Sequence, residues 1–239
     1  MRIRLPVGRS VLFGVAFVAA LVLFLPMRLG LGWFGVADQG LTARGASGSV
    51  WSGRLAEAQL GGVGVGDVDA GLSPFQLLVG RARVNVSREA GGADMLHGAV
   101  GVTRNSTGID DLTATLPVGT RFAPLPISAL GFTDFTVRFV GDACRNAEGA
   151  VRAVMSGEVA GINLAQGFTG AARCDGAELL LPLASQSGQE RLDVRIGGGG
   201  QWRASVVVVA STDPAVVAQL SATGFAPGEG GYRLEIGGR

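Results

Sequence analysis

Arg191-Leu192-Asp193-Val194-Arg195-Ile196 alternates charged and apolar residues without a fault. In an extended chain successive side chains point to opposite faces. Leu192, Val194 and Ile196 therefore share one face, and Arg191, Asp193 and Arg195 share the other. One dry face and one wet face is the requirement of an antiparallel sheet.

Working outward, the same period returns. Phe135, Val137 and Phe139 oppose Asp134, Thr136 and Arg138, and Tyr232-Arg233-Leu234-Glu235-Ile236 repeats the pattern. Clusters of small and polar residues punctuate the runs at Gly61-Gly62, Gly91-Gly92, 104–108 and 197–200, and they read as turns. This spacing predicts strands at 41–60, 63–71, 79–87, 95–103, 109–116, 132–140, 150–160, 167–174, 177–184, 190–197, 201–209 and 231–237. No strand–helix rhythm runs through the chain, which argues against a doubly wound α/β fold. One helix is signalled clearly. Asp213 can cap it, Pro214 suits its first position, and Gly224 lies beyond its end. Its apolar stripe is Val216, Val217 and Leu220. A second, single-turn helix is expected at Ile127–Leu130, between Pro126 and Gly131. The predicted fold class is mainly β, an antiparallel, curved sheet or sandwich-like domain with one or two short helices.

Ahead of that domain lies a different kind of segment. Between Arg9 and Arg28 there is no charge, and eleven of the residues from Ser10 to Met27 are Val, Leu or Phe. As a helix this run reaches roughly 27 Å at about 1.5 Å per residue, close to the hydrocarbon thickness of a bilayer. Arg2, Arg4 and Arg9 precede it, so the positive-inside rule retains the N-terminus and exports the bulk of the chain. A cleaved signal peptide has the same polarity, but no small-x-small site follows closely; Gly35-Val36-Ala37 is the nearest. The expected organisation is a cytoplasmic N-terminus at 1–9, a transmembrane signal anchor at 10–27, a juxtamembrane linker at 28–40 and a periplasmic β-rich domain at 41–239.

Composition excludes several functions. The chain has 20 basic residues, all arginine; removing Arg2, Arg4, Arg9 and Arg28 leaves 16 against 19 acidic residues, with no electrostatic footprint for nucleic acid. The 40 glycines follow no G-x-y period, so a collagen helix is excluded. Cys144 and Cys174 are the only cysteines, and in an oxidising compartment an even count favours a disulfide; two buried free thiols are the alternative. A metal site is disfavoured by the lack of C-x-x-C and by a single histidine.

The supply of catalytic groups is poor. His97 is the sole histidine; it lies on an alternating strand and reads as a surface or rim residue. No G-x-S-x-G occurs. The G-x-G-x-x-G match at Gly30–Gly35 follows an apolar run and has no βαβ unit around it, so it carries no nucleotide-binding argument. Trp33 and Phe34 beside it suit a membrane–water boundary. Asp110-Asp111 and Asp67-x-Asp69 lack the ligand run of a calcium loop and read as water-facing carboxylates. No catalytic residue, cofactor or metal is assigned.

Two short blocks carry a resemblance. Gly45–Leu55 contains Gly48-Ser49-Val50-Trp51-Ser52-Gly53, and Leu72–Arg81 reads Leu-Ser-Pro-Phe-Gln-Leu-Leu-Val-Gly-Arg. They resemble the G-x-V-W-x-G and L-x-P-x-x-L-L-x-G-R blocks of the type II secretion system protein N family. Gly98, the stretch Leu112–Pro117, the pair Cys144 and Cys174, and Gly224…Gly231-Tyr232-Arg233-Leu234 follow in the family's order. Where that family often has a tryptophan before the second block, this chain has Asp69-Ala70-Gly71. The resemblance implies a non-enzymatic, single-pass accessory subunit in the inner membrane, which assists export of folded proteins across the outer membrane. Its implied partners are other secretion subunits in the inner membrane and periplasm.

Residue by residue, Trp51 reads either as a core anchor or as a contact for a partner subunit. Phe75, Leu77 and Leu78 read as a corner between strands, with the two leucines covering an open sheet end. A second function stays open on these residues, a membrane-tethered periplasmic lipid-binding or lipid-transfer protein. It follows if about a dozen strands with one clear helix leave an apolar groove uncovered.

Overall fold

The strand quoted first, β15 (Glu190–Ile196), lies between β14 (Glu178–Ser185) and β16 (Trp202–Val209). Leu192 pairs with Leu183 and Val206, and Val194 pairs with Leu181 and Ala204. All of these side chains are buried. The stripes continue onto β18 (Gly231–Gly238), where Leu234 and Ile236 stand opposite Val206 and Ala204. A period of two along each strand, held in register across four, makes one continuous apolar face.

The computed structural model describes residues 8–29, 41–60, 63–89, 95–119, 125, 127–156, 158–159, 162–163, 167–209 and 213–238. The chain opens with helix α1 (Arg9–Leu23). Strands β1 (Leu41–Thr42), β2 (Gly45–Gly48), β3 (Gly53–Leu60) and β4 (Val63–Leu72) follow, then the five-residue helix α2 (Pro74–Leu78). Next come β5 (Ala82–Arg88), β6 (Leu96–Val102), β7 (Ser106–Pro117), β8 (Ile127–Val140) and β9 (Ala143–Met155). Two-residue strands β10 (Glu158–Val159) and β11 (Ile162–Asn163) pair only with each other. Then follow β12 (Phe168–Ala171), β13 (Arg173–Asp175), β14 to β16, helix α3 (Pro214–Ala222), β17 (Ala226–Gly228) and β18.

Sixteen strands form one antiparallel sheet, in the order β1-β3-β4-β5-β6-β7-β8-β9-β12-β14-β15-β16-β18-β17, with β2 on β3 and β13 on β14. Among the described residues no pairing joins β1 to β17, so the sheet is open. It carries bulges. Register shifts interrupt β3/β4, β7/β8 and β8/β9, and Glu57, Asp111 and Asp134 take positive φ at these shifts. A bulge increases local twist and withdraws a backbone N–H from the ladder. Each withdrawn N–H here finds a side chain on the next strand. Glu57 N donates to Asp67 Oδ1 at 2.8 Å, Asp111 N to Thr136 Oγ1 at 3.1 Å, and Asp134 N to Thr113 Oγ1 at 3.1 Å.

The larger core runs from β8 to β18 and includes Phe168, Leu183, Leu192 and Leu220; a smaller one joins β3, β4, β6 and β7 through Leu55, Val68, Leu96 and Ala114. Helix α3 closes part of the larger core. Asp213 caps it, accepting from Ala215 N at 2.8 Å, and Leu220 is fully buried.

Expectations for the sheet are corrected at several places. Residues 127–130 form no helical turn but open β8, where Ile127 pairs with Met155, and Leu130 pairs with Leu116 and Ala153. Two long neighbours satisfy the backbone there, which a single isolated turn does not. The expected strand at 41–60 is three pieces, and residues 79–81 belong to the turn after α2 rather than to a strand. At the N-terminus α1 ends at Leu23, and Pro26 bridges to Ser49. Among the described residues no helix is long and apolar enough to cross a membrane. Trp33, Phe34, Gly30–Gly35 and Gly35-Val36-Ala37 lie outside the described residues.

Candidate functional site

The last turn of an α-helix leaves carbonyls without intrahelical donors. In α1 one of these, the Val22 carbonyl, is taken by the turn between β2 and β3, and the chain just past the helix is tied to the same turn. Trp51 Nε1 donates to Val22 O at 2.9 Å, and Val50 N donates to Leu25 O at 2.9 Å. Arg28 Nε donates to Ala46 O at 2.8 Å. Between these contacts a helical turn at 27–29 drives Met27 into the smaller core, against Leu55, Ala58 and Val68. Gly53 makes room for it, since a Cβ there would collide with the Met27 sulfur. Trp51 is outside both core clusters among the described residues. It is half-buried, and its indole N–H grips the foot of α1.

The same turn carries the next block. Leu72 N donates to Val50 O at 2.9 Å, and Ser73 N donates to Arg83 O at 2.8 Å. Gly71 passes directly under Trp51, where a Cβ would strike the Trp51 carbonyl. The backbone at Gly71 leaves no space for a side chain. Pro74 then starts α2, and Gly80, at φ 74°, turns the chain out of it. Arg81 ends the block in an ion pair with Asp110 at 2.6 Å.

Asp110 is the buried carboxylate of this region. It also meets Arg83 at 2.8 Å and Arg138 at 3.4 Å, from β5 and β8. The bare backbone of Gly101 lets the Arg81 guanidinium lie across the sheet, 3.0 Å from where a Cβ would stand. The reading of Asp110-Asp111 as a water-facing pair is corrected for Asp110; Asp111 sits exposed at its bulge. Asp67 serves the Glu57 bulge. Asp69 pairs with Arg54 at 2.9 Å, and that hydrogen bond holds its carboxyl below the usual carboxylate range.

Phe75, Leu77 and Leu78 do not cover a sheet end. No residue of α2 is buried, and Phe75 is 80% and Leu78 84% exposed. Five residues give too little helix for an inward face, and both ends are tied into turns. The sequence-predicted residues thus fall into two places. Trp51 and the 75–78 corner stand together at one end of the strands. Cys144 and Cys174 form a disulfide elsewhere, with Cα atoms 5.6 Å apart, joining β9 to β13. His97 is exposed on β6. A pocket of about 530 Å³ on β15, β16 and β18 is lined by Asp193, Arg195, Arg203, Arg233 and Glu235. Its arginines are paired, Arg195 with Asp175 at 2.6 Å and Arg203 with Glu178 at 2.9 Å.

Compared with known proteins, residues 39–235 match the family model described as type II secretion system (T2SS), protein N. No curated protein and no solved structure matches. The match spans the sheet from β1 into β18, and the chain belongs to the type II secretion system protein N family.

Proposed function

We propose that this member of the type II secretion system protein N family is a non-enzymatic accessory subunit held at the inner membrane by residues 10–27. In this reading residues 1–9 are cytoplasmic and the β-rich domain is periplasmic. It assists export of folded proteins across the outer membrane by contact with other secretion subunits. The observation that carries the reading is the family match over residues 39–235. Two features agree with it. The side chains of α1 from Val11 to Leu23 are exposed all round, as a lipid-facing helix requires. The terminal strands β1 and β17 leave ladder edges that another chain can extend. The lipid-carrier reading gains no such support from the pocket of about 530 Å³, where Asp193, Arg195, Arg203, Arg233 and Glu235 line the wall beside Ala204 and Ile236.

Purification of the tagged full chain from its native membrane, with secretion subunits quantified, tests the contact. Enrichment of inner-membrane secretion subunits over an unrelated single-pass protein is expected. Equal recovery of those subunits with both baits would contradict it. A periplasm-active reporter fused after Arg239 should work; a cytoplasm-only reporter working there would overturn the orientation.

A further inference from the structure

Outside α1, Phe75, Leu77, Leu78 and Val79 are four exposed apolar side chains close together in the chain, interrupted only by the half-buried Gln76. Phe75 is 80%, Leu78 84%, Val79 77% and Leu77 38% exposed. Soluble surfaces scatter such residues singly, and a contiguous group marks a contact. The corner is also free of charge. No charged residue occurs from Ala70 to Gly80, nor from Gly45 to Gly53, while Arg44, Arg54, Asp69 and Arg81 bound the two stretches.

These two uncharged stretches meet at the foot of α1. Leu25 O accepts from Val50 N, and Val50 O accepts from Leu72 N, so two successive hydrogen bonds lead from the helix end to the residue two before Pro74. The corner is held on its far side too, by Gly80 N to Leu77 O at 3.0 Å and by the Arg81–Asp110 pair. Its apolar side chains are thus presented rigidly, beside the point where an exposed apolar helix leaves the domain.

We infer that Phe75, Leu77, Leu78 and Val79 rest in the interfacial layer of the bilayer that holds α1, as a second, monotopic contact. The inference rests on the proposed anchoring of residues 10–27. A lipid surface is the occupant that fits. It takes apolar side chains without needing a complementary charge, and the helix foot already sets the corner near its plane. The two contacts together would fix the tilt of the sheet relative to the membrane, which one helix on a linker does not.

The test uses the full chain reconstituted in vesicles of phosphatidylethanolamine and phosphatidylglycerol at about 3:1. A nitroxide is placed through Leu78→Cys, with the native disulfide kept. Reference labels go in through Val15→Cys in α1 and Gln189→Cys, in the turn at the opposite strand end. Collision rates with oxygen, which concentrates in lipid, and with a water-soluble nickel complex are compared. The oxygen-to-nickel ratio at Leu78 should exceed that at Gln189 several-fold and approach that at Val15. A ratio at Leu78 equal to that at Gln189, with Val15 in lipid, overturns the second contact and leaves the anchor standing. Val15 and Leu78 both in water overturn the contact and the anchor together. Leu78 in lipid with Val15 in water overturns the anchor and with it the inference, since no second contact then stands beside a spanning helix. A Leu78 label shielded from both reagents indicates a protein partner and overturns the inference.

Discussion

Trp51 makes a contact that its residue type did not suggest. A large aromatic among small residues reads as packing or as an interface, yet its decisive atom is the indole nitrogen on the Val22 carbonyl. That partner lies 29 residues away across a segment with no strand period, so no local pattern points to it. Trp51→Phe keeps most of the ring and removes the donor. It should lower stability by about 1 kcal/mol in urea unfolding, the net worth of one hydrogen bond. An unchanged midpoint would remove the grip from the account. Asp110 was missed for a similar reason. Its partners Arg81, Arg83 and Arg138 come from the turn before β5, from β5 and from β8, and only the sheet order brings them to one carboxylate. Asp110→Asn leaves three guanidinium groups facing a neutral amide. Because those groups are partly exposed, the loss should be roughly 3 kcal/mol, at the low end for breaking a buried ion pair. A wild-type unfolding midpoint in this variant would contradict that role.

At the scale of elements, what could be read locally was read well. Alternation located β15 and β18 to within a residue or two, because apolar and charged residues take turns along the quoted stretches. The Asp213-Pro214 start located α3, because a cap is a chemical signal confined to a few residues. Residues 127–130 were misread, since Ser128, Ala129 and Leu130 carry no strand preference of their own and β7 and β9 impose the extended form. The corner at 74–78 was recognised as a corner, but its exposure is decided by what lies beside it. The disulfide ties β13, which pairs only with β14, to β9. Closing a loop of 30 residues stabilises the fold by roughly 3.6 kcal/mol in the chain-entropy account. Replacing both cysteines by serine should cost about that much, and the unreduced native protein should take up no alkylating reagent. Two adducts on the folded chain would rule the bond out.

At the scale of the whole molecule, the helix foot, the turn carrying Trp51 and the corner after β4 make one connected structure at one end of an open sheet. The two sequence blocks that resembled the family are the blocks that build this structure. They join α1 to a domain whose family belongs to the type II secretion system. The proposed role makes that domain a helper in the step across the outer membrane, and not in entry to the periplasm. The most direct measurement is the distribution of folded exoproteins between periplasm and medium after deletion of the gene, with the full chain restored as control. The account predicts periplasmic accumulation with unchanged total synthesis, reversed by the restored chain. Unchanged release, accompanied by altered outer-membrane lipid content or permeability, would contradict it and favour a lipid-handling protein.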